Sequence, residues 1–197
     1  MRSPTTAPSA HASSLQAYTE TLIGIAAASI DHGLHRGEPA AVDEDAYPAA
    51  LQVPRATFVT LLDGNDDLRG CIGTLEAHQS IVADVSANAF AAAFRDPRFA
   101  PLSQHERPGI TCKLSVLTPP EPMEFDSEAD LLSRLQPGID GVLIEAGRQR
   151  GTFLPAVWEQ IDDRVEFWLA LKRKAGLRPD TFPDDLRVYR YRAESIG

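Results

Sequence analysis

Apolar residues recur at helical spacing through Leu15, Tyr18, Leu22, Ile25, Ala26 and Ser29. That pattern predicts a helix from about residue 14 to about residue 32, opened by a Ser13/Gln16 capping box and ended near Gly33. Residues 1–12 are small and polar, with Pro4 and Pro8, and read as a flexible tail. Residues 33–54 are acidic, contain Pro39 and Pro48, and read as a long surface connection. Two β-compatible runs then flank the turn residues Asp63–Asp67, a hairpin signal that reaches Leu75. Ser80 caps a helix carrying Ile81, Val82, Val85, Ala89, Phe90, Ala93 and Phe94, which Pro97 stops near Arg95. Alternation from Ile110 to Leu117 predicts a half-buried strand.

Beyond Pro119-Pro120 the order repeats. Met123–Phe125 reads as a short strand, and Ser127 with Asp130 opens a short helix ended by Pro137-Gly138. Gly141–Glu145 and Arg150–Leu154 form a second hairpin. A helical segment follows from Pro155, broken near Asp162, with Val165, Trp168 and Leu169 on one face and Gly176 at its end. Leu186–Arg192 reads as a closing strand, a charged edge strand in its Tyr189-Arg190-Tyr191-Arg192 run. Each half therefore reads strand, turn, strand with Arg-Gly, helix, strand. The expectation is an α+β fold built from a duplicated strand-strand-helix-strand unit. Its sheet is mainly antiparallel, or an open barrel, covered by helices, with two subdomains and a cleft between them. The repeats would span about 13–118 and about 119–197 within one domain.

Charge and cysteine content narrow the function classes. With 19 Lys+Arg against 28 Asp+Glu, the net charge of −9 disfavours nucleic-acid binding, which depends on basic side chains. Tyr189–Arg192 alternates aromatic and basic residues, a weak signal for a nucleic-acid adaptor beside the edge-strand reading. Two cysteines exclude a disulfide scaffold and any cluster needing four cysteine ligands in this chain. No apolar run approaches a membrane span, and the first residues lack the apolar core of a secretory signal, so the expectation is a cytoplasmic protein. Asp31, His32 and His35 invite a metal reading, but with Gly33 expected to break the helix between the imidazoles a surface cluster fits better. No metal or cofactor is expected.

Leu68-Arg69-Gly70-Cys71-Ile72-Gly73-Thr74 is the least ordinary segment. On a strand, Arg69 and Cys71 share a face, and a guanidinium beside a thiol raises its thiolate fraction. Gly70 and Gly73 admit another backbone or a ligand. The segment suits a small anionic ligand or a nucleophilic thiol, with Ile72 and Thr74 lining it. The plainer reading makes Cys71 a packing residue and Arg69 half of an ion pair. Arg98, in Asp96-Pro97-Arg98-Phe99, could bind an anion or fix a turn. Lys174, in Lys172-Arg173-Lys174, could bind a carboxylate or lie on a solvated helix end, and Asp126, Glu128 and Asp130 suit a helix start.

The same segment resembles the AMMECR domain family, called AmmeMemoRadiSam system protein A in bacteria and archaea. So do Ala91–Leu102, Leu114–Leu117, Gly138–Val142, Gly151–Pro155 and Lys174–Leu177, in the family's order across about 15–195. Asp140 stands where the family often has His, and Lys172 where it often has Cys. The resemblance implies a two-part α+β structure with a cleft and the Arg-Gly-Cys-Ile-Gly strand as candidate site. It also implies association with a radical S-adenosylmethionine enzyme and a Memo-type protein, with no settled reaction. Any iron–sulfur cluster would then belong to that partner.

Overall fold

The computed structural model describes residues 15–196, so the expected tail and Ser13 lie outside the described residues. The chain enters through a 3-10 turn, Leu15–Tyr18, into α1 (Thr19–Arg36). Gly33 does not end this helix. It lies inside, where a side chain would collide with the rings of Phe90 and Phe94, and the left-handed residue that stops α1 is Gly37. The following connection is less open than its composition suggests. It holds a short helix, α2 (Ala49–Gln52), whose Leu51 is fully buried.

The first hairpin, β1 (Thr57–Leu62) and β2 (Leu68–Gly73), is followed by α3 (Ile81–Phe94) and β3 (Thr111–Leu117). Ser80 caps α3 by accepting the Ala83 N–H. Then come β4 (Glu121–Pro122), earlier than the strand expected at Met123–Phe125, and α4 (Glu128–Arg134), capped by Ser127. The second hairpin is β5 (Gly141–Ala146) with β6 (Gln149–Phe153). A 3-10 turn, Pro155–Glu159, precedes α5 (Arg164–Lys174), which Asp163 caps and Gly176 follows in the left-handed region. Strands β7 (Arg187–Tyr191) and β8 (Ala193–Ile196) close the described chain.

The strands form two four-stranded antiparallel sheets, β2-β1-β3-β8 and β6-β5-β7-β4. The duplication is complete at the level of topology and includes a leading helix in each half: helix, hairpin, helix, strand, short strand. The register makes the halves superimposable on paper. Leu61 pairs with Gly70 and Cys112 as Ile144 pairs with Gly151 and Val188. Thr60 pairs with Cys71 and Lys113 as Leu143 pairs with Thr152 and Tyr189. The short last strands are exchanged. β4 leaves the first sheet to pair with β7, and β8 leaves the second to pair with β3. Strand β7 is therefore interior, not the charged edge expected from its arginines.

Each sheet buries one face under helices. Leu22, Ile30, Val59, Leu61, Val82, Val85 and Leu114 fill the first core; Val142, Ile144, Phe167, Trp168 and Leu171 fill the second. On α5 the buried face runs through Phe167, Trp168, Leu171 and Lys172, while Val165 is exposed, so the face read from Val165 and Leu169 was rotated. A third apolar seam joins the sheets: Ala56, Phe58 and Leu117 meet Leu143, Leu154, Tyr189 and Tyr191. No described helix is long and apolar enough to cross a membrane.

Candidate functional site

Strand β2 owes its position to Gly70. A Cβ there would strike the Ala92 carbonyl of α3, so the helix lies directly on the strand. Gly151 repeats this on β6, where a Cβ would meet Ala175 at 2.8 Å. Since Gly70 faces the helix, alternation turns Arg69, Cys71 and Gly73 to the opposite face of the sheet. Gly73 is crowded there by the Phe58 ring. Ile72 returns to the first core, and Thr74 Oγ1 donates to Asp84. Asp84 is fully buried yet richly satisfied, accepting also from Thr57, Gln79 and Asn88, and so ties α3 to both strands of the hairpin.

The free edge of β2 is closed by the turn after α3. Cys71 N–H donates to Asp96 Oδ2 at 2.8 Å, and Arg98 Nη2 donates to the Cys71 carbonyl at 3.3 Å. A carboxylate and a guanidinium thus stand where a neighbouring strand's carbonyl and amide would be. Because both backbone groups of Cys71 point outward, Cys71 and Thr60 form the non-hydrogen-bonded kind of cross-strand pair, in which side chains approach closest. Their Sγ and Oγ1 atoms are 3.1 Å apart. The bidentate bond to Arg98, with the Cys71 amide, holds the Asp96 carboxyl far below its usual range against the opposing effect of burial.

Arg69 is committed elsewhere. Its Nε donates to Glu106 at 2.8 Å and its Nη2 to the Ala100 carbonyl at 2.9 Å. These bonds anchor the loop between α3 and β3 and, with Ser103, hold Glu106 down to about 2. Its remaining amino group, Nη1, is buried without a partner, one of two such side-chain atoms among the described residues. The guanidinium bonded to Cys71 is that of Arg98, at the backbone carbonyl. Cys71 is half-buried on the sheet face that carries Thr60 and Lys113. Cys112 is not its neighbour: β1 lies between them, Cys112 packs against the first core, and burial pushes its thiol up.

Lys174 is not brought to this site. It donates to the Thr152 carbonyl at 2.9 Å, and Thr152 is the counterpart of Cys71 in the second sheet. Its neighbour Lys172 is not solvated either. It is fully buried, bonded to Glu128 at 2.7 Å and to the Pro179 carbonyl, and Glu128 also accepts from Trp168. Glu128 therefore does more than favour a helix start. Asp31 pairs with Arg107, and the described residues contain no group of three His, Cys, Asp or Glu able to hold a metal. His32 and His35 lie within one unbroken helix. The junction of the sheets, next to the end of β2, keeps a cavity of about 110 Å³ lined by Leu75, Ala77, Pro119, Pro120 and Tyr191. The Glu76–Arg150 ion pair crosses the same junction.

The AMMECR1 family model matches residues 23–196. The chain belongs to the AMMECR1 family. A Methanothermobacter thermautotrophicus protein is 39% identical over 176 residues, covering 88% of this chain and 91% of that one. A Thermococcus gammatolerans protein is 37% identical over 184 residues, covering 89% and 87%. The crystal structure of an uncharacterised Pyrococcus horikoshii protein is similar across 91% of both chains, with a TM-score of 0.75 and 32% identity. AMMECR1 membership and the two-sheet α+β fold thus agree with the resemblance read from the sequence.

Proposed function

We propose that this AMMECR1-family chain is an accessory, ligand-binding component that acts with a radical S-adenosylmethionine enzyme and a Memo-type protein. Its β2 strand would hold a small anionic ligand, or a partner's substrate, beside Cys71 and Arg69. The orphaned Arg69 Nη1 is the observation that carries the reading. A buried donor without an acceptor costs free energy, and an oxyanion is the group that satisfies a guanidinium best. Gly70, Ile72, Gly73 and Thr74 shape the strand, and Arg98 adds positive charge. Of the carboxylates nearby, Asp96 is paired with Arg98 and Glu106 with Arg69, so neither is free to act as a base. The partners are inferred from the family resemblance. Affinity capture from the native host, under anaerobic and aerobic conditions, is expected to recover one of the two enzymes. Recovery of neither would refute the partnership.

A cysteine-dependent enzyme is the second reading, favoured by the half-exposed Cys71 thiol against Thr60 and near Arg98. It requires fast alkylation of Cys71 in the native protein at neutral pH. Labelling that becomes fast only on unfolding would leave the accessory reading standing and remove this one.

A further inference from the structure

Outside the β2 region, a cavity of about 450 Å³ lies in the second half, bounded by β4, β7, the end of α4 and the start of α5. Its lining is of mixed sign. Arg164 has no carboxylate partner among the described residues. Its Nε is fixed on the Leu135 carbonyl at 2.9 Å, which orients the guanidinium and leaves both terminal amino groups free. Among the described residues Arg190 reaches only Glu121, at 4.0 Å. Arg134 is neutralised by Asp130. Glu124 also lines the cavity, near Arg134, and makes no hydrogen bond or ion pair with a described residue. Met123 and Leu135 supply apolar wall.

A simple polyanion does not suit this cavity, because Glu124 in its lining, with Glu121 and Asp130 against Arg190 and Arg134, would repel it. A simple cation meets the two arginines. A ligand carrying both charges and a small apolar body meets the unpaired arginine groups, Glu124 and the apolar wall, and fits within the cavity. We propose that this cavity binds a free α-amino acid with an apolar side chain. Arg164 and Arg190 take its carboxylate, Glu124 its ammonium, and Met123 with Leu135 its side chain. The planar forks of two arginines match a carboxylate in a way one lysine does not. The site is separate from the β2 strand and does not rest on the reading given to it.

The test titrates the full chain with L-leucine, L-methionine and L-phenylalanine in turn, followed by amide shifts in nuclear magnetic resonance. The probes 4-methylpentanoate and 3-methylbutylamine, which are leucine without its ammonium and without its carboxylate, complete the set. Saturable shifts centred on Gln136, Arg164 and Arg190 are expected with at least one amino acid, and both truncated probes should bind about tenfold or more weakly. Arg164→Gln should weaken the amino acid by a similar factor, and so should Glu124→Gln, which leaves 4-methylpentanoate binding unreduced. Arg190→Gln serves as the second arginine variant should Arg164→Gln lose its native spectrum. Absence of saturable binding by all three amino acids overturns the proposal. So does 4-methylpentanoate binding as tightly as leucine and indifferent to Glu124→Gln, since the site would then be a plain anion site.

Discussion

Asp96 shows how one side chain can settle an edge strand. It is buried, it accepts the Cys71 N–H, and Arg98 completes the clamp at the Cys71 carbonyl. Asp96→Ala removes an acceptor from a partly buried amide and unpairs Arg98, and should cost about 2–3 kcal/mol in urea unfolding. The carboxyl titrates well below its usual range in the folded protein, as Glu106 does at about 2. A carboxyl depressed on folding gives its full stabilisation above its unfolded value and loses it as pH falls through the folded one. Stability should therefore decline below about pH 4, and the decline should be shallower in Asp96→Asn than in the wild type. An equally steep acid profile in both would assign the effect to other carboxylates. The sequence shows Asp96 as a turn residue because its local partner, Arg98, is two positions away. Its bond to Cys71 spans 25 positions and has no local signal. Lys172 was hidden by its basic neighbours, although it lies one turn after Trp168 and so shares the buried face.

At the scale of elements, the Arg-Gly pairs of β2 and β6 carry the contact between sheet and helix. Gly70→Ala drives a methyl group into the Ala92 backbone carbonyl in the last turn of α3, a rigid backbone group lying directly on the strand. It should cost about 3 kcal/mol, at the upper end for overpacking. Gly151→Ala meets Ala175, just past the end of α5, at a less severe approach and should cost about 1–2 kcal/mol. Chemical unfolding of both variants checks the order, and a smaller loss for Gly70→Ala would contradict the packing. Hairpins, caps and the length of α3 were legible because Ser80, Ser127, Pro97 and Gly176 act locally. The end of α1 was not, because a glycine that stops a helix and one that admits Phe90 and Phe94 look alike until the partner helix is known.

At the scale of the molecule, the exchange of β4 and β8 joins the two sheets more firmly than the apolar seam alone. Both tryptophans, Trp158 and Trp168, lie in the second core, so their fluorescence reports on that half, whereas circular dichroism reports on the whole. The two transitions should coincide in urea. Separate midpoints would mean that the halves unfold independently. Alternation and repeat order revealed the duplicated unit, but the exchange was invisible: a two-residue strand such as Glu121–Pro122 has no periodicity, and pairing across sheets is a tertiary fact.

The crossed strands also bear on what a shorter polypeptide would do. A chain carrying one repeat alone would have a sheet edge lacking its last strand and a last strand lacking an edge. Two such chains would complete each other about a two-fold axis, each lending its tail to its mate. The present molecule is the tethered form of that homodimer, with Pro119 and Pro120 at the crossing.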